Sequence, residues 1–361
     1  MRLLVTGGGT GGHLFPGIAV AEAVKARFRE GEILFVVTGR RIDTTNLSSR
    51  GLSFRTIRCE PLKGMTRVER FLGLLKLPLG LWDAARIVGA FRPDMVLGVG
   101  GYVAGPMTLA AHFLGVKTGI HEQNSVPGMT NRWLGRLVDK IFISIPGSEA
   151  YFPAGKVILT GNPIRDELIR AAGALKAAEE GSTVLVLGGS QGAHRVNTLV
   201  VETMGKYLAK LPDNFRLIHQ TGLHDEEWVK DAYSKMGIDV RVGATFIDMA
   251  EKYGAADLVL SRAGATTLAE LAIMRKPAIL IPYPFAADAH QEKNAQYMVT
   301  HGAACMSLER DMTPERLIDI LTTLLKDRKQ LKEMARNAAR LARPNAAEAI
   351  VDECVAMMGK K

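Results

Sequence analysis

The segment Gly7-Gly8-Gly9-Thr10-Gly11-Gly12-His13 constrains this chain more than any other. It follows the apolar run Leu3-Leu4-Val5 and leads into Gly17-Ile18-Ala19-Val20-Ala21-Glu22-Ala23-Val24, which reads as a helix. Strand, glycine turn and helix start, in that order, aim backbone N–H groups and a helix N-terminus at an anion. Any side chain would obstruct close approach of a phosphate to the main chain, so the site needs glycine. His13 stands at the mouth of the turn, able to donate, accept or take up a proton. The arrangement recurs twice. Gly98-Val99-Gly100-Gly101-Tyr102-Val103-Ala104-Gly105 follows Met95-Val96-Leu97, and Gly188-Gly189-Ser190-Gln191-Gly192-Ala193 follows Val184-Leu185-Val186-Leu187. Three glycine loops, each after a leucine or β-branched run, are far more specific than one.

A chain of 361 residues suits two α/β domains better than one. Short apolar runs alternate with helical stretches through residues 1–163, as in a parallel sheet covered by helices. The strands expected there are Leu3–Thr6, Ile33–Val37, Phe54–Ile57, Met95–Gly98, Thr118–His121, Lys140–Ile143 and Val157–Thr160. The pattern restarts with Thr183–Leu187, Arg216–Gln220, Val240–Val242, Leu258–Ser261 and Ala278–Pro282. Gly161-Asn162-Pro163 marks a turn, and the expected boundary lies there. The expected domains are residues 1–163 and 164–345. A helical tail breaks at Arg343-Pro344-Asn345, so a last helix, about 346–361, is able to turn back over the first domain.

Composition excludes several classes. The chain starts almost directly in a strand, so no secretory signal is expected. No apolar run approaches the roughly 20 residues of a membrane span. Cys59, Cys305 and Cys354 are too scattered for a disulfide framework or a metal pattern, which suits a reducing cytoplasm. There is no Asp-x-Asp pair and the histidines do not cluster, so no metal is expected. Charge is uneven: residues 1–163 carry 20 Lys/Arg against 11 Asp/Glu, a net +9, and the remainder 26 against 26. Either surface composition has drifted, or the first half meets nucleic acid, a pyrophosphate or an acidic membrane face. Within it, Phe71, Leu72, Leu75, Leu79 and Trp82 stand among Lys63, Arg67, Arg70, Lys76 and Arg86. They read as core helices or as an apolar patch with a cationic rim, able to dock on an anionic bilayer surface.

Gly7, Gly9 and Gly12 match G-x-G-x-x-G, which makes a dinucleotide-dependent dehydrogenase the first rival. Its second strand would end in an acid; here Thr38-Gly39-Arg40-Arg41 would suit a 2′-phosphate instead. No phosphotransferase P-loop occurs. In the second half, Gly188–Ala193 offers amides and the Ser190 hydroxyl to a diphosphate, and Arg165 is a fork donor for phosphate charge. Ser261-Arg262-Ala263-Gly264-Ala265-Thr266-Thr267-Leu268-Ala269-Glu270 enters a helix. Glu270 can accept both hydroxyls of a ribose, with Thr266 and Thr267 near the phosphates; a Thr267/Glu270 capping box is the structural alternative. His121-Glu122-Gln123-Asn124 ends a strand where a parallel sheet presents ligands, and Gln291 could bond sugar hydroxyls.

GGGTGGHLFPG, GVGGYVAGP, HEQN, TGNPIR, GGSQGA, FIDMA, RAGATTLAE and His290-Gln291 occur in that order. The chain thereby resembles the MurG family of bacterial glycosyltransferases nearly end to end. Ala269 stands where the family suggests a serine, and His290 where it suggests a glutamine. The resemblance implies a GT-B fold, two Rossmann-like parallel-sheet domains separated by a cleft. It implies metal-independent, inverting transfer of N-acetylglucosamine from UDP-N-acetylglucosamine to the C4 hydroxyl of undecaprenyl-pyrophosphoryl-N-acetylmuramyl-pentapeptide, with no cofactor and no nucleic acid. It further implies a peripheral place on the cytoplasmic face of the inner membrane, with cell-wall synthesis or division proteins as possible partners. Carried over by motif, Thr10, Gly11, Gly12, Asn124, Arg165, Ser190, Ile247, Ala265, Thr266, Thr267, Leu268, Ala269, Glu270 and Gln291 would meet the donor. Gly9, His13, Gly101 and Tyr102 would meet the acceptor and its pyrophosphate. Inversion needs a base for the acceptor hydroxyl; His13 leads, with Glu122 and His121 behind it. Two alternatives stay open: another GT-B transferase with a different acceptor, and an NADP-binding protein.

Overall fold

A computed structural model describes residues 1–59, 67–174, 181–189 and 192–359, with backbone only for 67–77. It comprises two compact units, Met1–Arg165 with Arg343–Lys361, and Asp166–Ala342.

The strands of the first unit are β1 (Arg2–Thr6), β2 (Glu32–Val37), β3 (Phe54–Thr56), β4 (Met95–Gly98), β5 (Lys117–Glu122), β6 (Lys140–Ile143) and β7 (Val157–Leu159). Those of the second are β8 (Ser182–Leu187), β9 (Phe215–Gln220), β10 (Val240–Gly243), β11 (Leu258–Ser261), β12 (Ala278–Leu280) and β13 (Ala304–Met306). The first sheet runs β3-β2-β1-β4-β5-β6-β7 and the second β10-β9-β8-β11-β12-β13. Every pairing is parallel, for example Leu3↔Met95 across β1 and β4 and Val184↔Leu258 across β8 and β11. Strand order reverses at β1/β4 and at β8/β11. There the following connections leave on opposite sides, opening the crevice in which doubly wound sheets bind ligands.

Burial on both faces explains the unbroken apolar runs of the central strands. Leu3 and Val5 project into one layer with Ile18, Ala21 and Val24, while Leu4 projects into the other with Ala84, Val88 and Met107. The helix Ala346–Met357 completes the first layer through Ile350, Val351 and Cys354, packed with the helix Gly11–Arg27. Lys140 and Glu353 add an ion pair at 3.5 Å, and Arg27 pairs with Asp352. The chain returns to this unit at Arg343, which crosses so near Gly161 that a Cβ there would lie 2.6 Å from the arginine Cβ.

Several details differ from expectation. β3 stops at Thr56, β7 at Leu159 and β12 at Leu280, β13 is an additional strand, and the stretch around Leu79 and Trp82 belongs to one helix, Arg67–Phe91, with Pro78 inside it. Ile350 is fully buried. Ile350→Ala should therefore cost about 2–4 kcal/mol in urea unfolding. An unchanged midpoint would mean that the last helix adds nothing to the first core.

Candidate active site

In the first unit, two glycine loops meet at the β1/β4 reversal. Gly7 has φ +149°, and a Cβ on it would lie 2.5 Å from the Gly100 carbonyl oxygen. Gly101 has φ +84°, and its Cβ would lie 2.8 Å from the Gly8 oxygen. Backbone thus rests on backbone, which no residue with a side chain permits. The loops also locate His13, because a Cβ on Gly100 would be 2.6 Å from its Cδ2. His13 is half-buried in the first turn of Gly11–Arg27, with Nδ1 3.2 Å from the Thr10 hydroxyl. Gly12 is exposed at the helix start.

The Gly9 amide does not face outward, as a bare anion cradle would require. It donates to both oxygens of the buried Asp43 carboxylate, at 2.9 and 3.0 Å. Thr38 donates its hydroxyl to the same carboxylate, and Arg40 donates to the Gly9 carbonyl at 3.2 Å. The end of β2 therefore braces the glycine loop, with Arg40 engaged on the Gly9 carbonyl. Asp43 carries no sequence signal of this role, since it meets Gly9 only through tertiary structure.

His121 and Glu122 both point into the fold. The Gln123 amide donates to His121 Nδ1 at 3.1 Å, so Nε2 carries the proton and donates to the Gly161 carbonyl at 3.1 Å. Burial, helped by the charge of His13, pushes the His121 pKa down to about 4, despite the opposing bond to Gly161. Glu122 accepts from the Asn124 amide (2.9 Å) and side chain (3.2 Å) at one oxygen. Its other oxygen accepts from the Gly128 amide (3.1 Å) and Asn131 (2.8 Å). Burial raises its pKa against these four donors. It anchors the loop after β5 and orients Asn124. The base role held in reserve for these two residues finds no outward-facing atom to support it. Tyr102 is half-buried beside the cluster that includes Val103. Arg165 lies in this unit, its guanidinium 5.5 Å from the Phe15 ring, with Arg50 6.0 Å from the same ring.

In the second unit, Gly192 approaches the end of β9 closely, and a Cβ on it would lie 2.6 Å from the Thr221 oxygen. Ser190 lies outside the described residues. Side-chain amides tie the neighbouring loops together. Gln291 accepts from the Ala263 amide (3.2 Å) and the Tyr283 amide (2.9 Å), joining the turns after β11 and β12. The buried Asn294 donates to the Ala263 carbonyl at 3.1 Å. The helix Ala265–Ile273 begins after Gly264 without a side-chain cap, so the Thr267/Glu270 capping box does not form. Thr266, Thr267, Ala269 and Glu270 are half-buried, whereas Ala265 and Leu268 are buried. Glu270 Oε2 accepts the Tyr253 hydroxyl at 2.9 Å. Ile247 projects from the loop after β10, 94% exposed. Among the described residues, no group of three or more His, Cys, Asp or Glu side chains is placed to hold a metal ion.

The second unit also holds a buried polar network. Asn197 donates to the Thr221 carbonyl (2.9 Å) and Asp225 (2.7 Å), so its oxygen accepts from His219 Nε2 at 3.1 Å. His219 Nδ1 in turn accepts from Tyr233 at 2.9 Å. It joins the first turn of the helix His194–Tyr207 to the segment after β9. Burial pushes the His219 pKa down to about 3, against the attraction of Asp225. The polar strand end His219-Gln220-Thr221 was the available clue.

The N-terminal domain model of glycosyltransferase family 28 matches residues 3–143, and its C-terminal domain model matches residues 183–350. A UDP-N-acetylglucosamine–N-acetylmuramyl-(pentapeptide) pyrophosphoryl-undecaprenol N-acetylglucosamine transferase of Desulfotalea psychrophila is 47% identical over 353 residues, 98% of this chain and 96% of its own. The chain belongs to the MurG family. A transferase of the same name from Syntrophus aciditrophicus is 44% identical, covering 99% of both chains. The crystal structure of Acinetobacter baumannii MurG aligns with a TM-score of 0.79 at 31% identity, covering 99% of each chain. The paired sheets are thus the GT-B fold of this MurG family.

The neutral His219 makes stability depend on pH. Between its folded pKa near 3 and the ordinary 6.5, only the unfolded chain binds the proton, so its contribution falls as pH drops below 6.5. Replacing it as His219→Asn should flatten the wild-type decline between pH 6.5 and 5 by about 1 kcal/mol per pH unit in urea titrations. Parallel curves for the two proteins would mean that His219 titrates normally in the fold.

Proposed function

We propose that this chain transfers N-acetylglucosamine from UDP-N-acetylglucosamine to undecaprenyl-pyrophosphoryl-N-acetylmuramyl-pentapeptide, converting lipid I to lipid II in peptidoglycan synthesis. The observation that carries this reading is the identity, nearly end to end, with transferases of that name. The donor falls to the second unit: the Ile247 loop to the uracil edge, Glu270 to the ribose, the start of Ala265–Ile273 and the loop after β8 to the diphosphate, and Gln291 Nε2 to the hexosamine. The acceptor falls to Gly9, His13, Gly101 and Tyr102 of the first unit, while Thr10, Gly11, Gly12 and Asn124 meet the donor sugar. Arg165, beside the first turn of Gly11–Arg27, supplies positive charge to the phosphates.

Attack by the C4 hydroxyl forms its bond to the anomeric carbon as the bond to the UDP oxygen breaks, which inverts that centre. The hydroxyl proton needs an acceptor, and His13 is that base. For Nε2 to carry the lone pair, Nδ1–H must donate to the Thr10 hydroxyl, which lies at hydrogen-bond distance. Charge developing on the departing UDP is stabilised by helix N-termini and Arg165. With labelled UDP-N-acetylglucosamine and the prenyl-pyrophosphoryl acceptor, the wild type should form the disaccharide lipid. His13→Ala should lower kcat by about 10²–10⁴ with UDP affinity nearly intact. Turnover only on an unrelated acceptor would favour the alternative GT-B transferase, and a mild His13→Ala effect would remove the base.

The acceptor's prenyl chain stays in the bilayer, so the first unit binds the cytoplasmic membrane face peripherally, alongside other enzymes of the cell-wall pathway. No described helix is long and apolar enough to cross a membrane. Leu79 and Trp82 are 46% and 62% exposed, and so are Phe113, the last residue of the helix Ala104–Phe113 packed beside theirs, and Leu114 after it. Phe71, Leu72 and Leu75 fall where the side chains lie outside the description. Each nearby Lys or Arg adds about 1 kcal/mol of attraction to an anionic surface. The double variant Leu79→Ser, Trp82→Ser should sediment less with anionic liposomes and turn over long-chain acceptor more slowly, while sparing a short-chain soluble analogue. Equal losses on both acceptors would defeat the patch reading.

A further inference from the structure

We infer that Tyr253 is a positioning residue that orients the Glu270 carboxylate toward the ribose of a uridine diphosphate sugar. The inference rests on the reading that Glu270 holds that ribose. Tyr253 lies on the helix Met249–Ala255 and is fully buried, yet its hydroxyl reaches Glu270 Oε2 at 2.9 Å. A buried phenol needs a polar partner, and here the partner is a carboxylate that is itself only half-buried. The bond therefore runs from rigid core to the edge of the proposed donor site. A glutamate side chain has three rotatable bonds, and its terminal torsion is broad, so burial of its stem alone does not aim both oxygens at a vicinal diol. A hydrogen bond to the charged group fixes that torsion and is stronger than a neutral one. The same helix begins directly after Phe246-Ile247-Asp248, the segment given to the uracil edge. One short helix thus borders the base and orients the group for the adjoining sugar.

The test uses the full chain and compares UDP-N-acetylglucosamine with its 2′-deoxyribose analogue. Tyr253→Phe keeps the buried ring and removes only the hydroxyl. It should raise the donor KM about tenfold, leave kcat within about twofold, and reduce discrimination against the 2′-deoxy donor, with the thermal midpoint essentially kept. Glu270→Gln should remove most of that discrimination, and Tyr253→Phe should then add nothing further. If Glu270→Gln raises KM and erases discrimination while Tyr253→Phe changes neither, the positioning role is wrong and the ribose assignment stands. If Glu270→Gln itself leaves both unchanged, the ribose assignment falls and the inference with it. A Tyr253→Phe loss confined to kcat and thermal stability, with discrimination intact, would make the bond merely structural. Isothermal titration with UDP and 2′-deoxy-UDP reads the same preference without catalysis.

Discussion

A steric limit governs the first unit: two backbone segments occupy space that one Cβ would fill. Gly7 lies against Gly100, and Gly101 against Gly8, at the point where strand order reverses. The pairing of β1 with β4 brings the loops together, and the glycines let them stay. Such segments are costly to order, since glycine loses more backbone freedom on folding than other residues. The bonds from Gly9 to Asp43 and from Arg40 to the Gly9 carbonyl offset part of that cost. His13 inherits its place from the same contact, because its ring lies where Gly100 has no side chain.

The second unit meets the same topological problem by another route. The ends of parallel strands leave backbone groups that the ladder does not satisfy, and buried ones need partners. Gln291, Asn294 and Asn197 serve these groups with side-chain amides, each bonding the backbone of a neighbouring loop. Gln291 is therefore structural at its oxygen, whatever its nitrogen meets. Replacing it would disturb two loops along with any sugar contact, so a lost activity would not by itself identify a binding residue.

Much of this was legible in the sequence. Apolar runs before the three glycine loops located β1, β4 and β8, because central parallel strands are buried on both faces. β13 has no signature in the sequence, because Ala304-Cys305-Met306 has no β-branched or aromatic residue. His121-Glu122-Gln123-Asn124 was correctly placed at a strand end but read as facing a ligand. Glu122 instead satisfies amides two to nine residues onward, a local turn-anchoring pattern that polarity alone does not distinguish from a binding site. Asp43 and Tyr253 were not legible, since each acts on a residue 34 or 17 positions away through tertiary structure.

The inward turn of His121 also bears on the proposed chemistry of His13. A charge on His13 lowers the pKa of His121. Were His121 cationic, it would oppose the imidazolium that His13 becomes when it takes a proton. Burial and the Gln123 bond hold His121 neutral with its proton on Nε2, directed to Gly161, so that opposition does not arise. Thr10 supplies the complementary half. Its oxygen can accept from Nδ1–H in both the neutral and the charged state of His13, so the ring can gain a proton on Nε2 without breaking that bond. In the proposed role, a base flanked by a neutral histidine and a hydroxyl that accepts throughout needs no rearrangement at the moment of transfer.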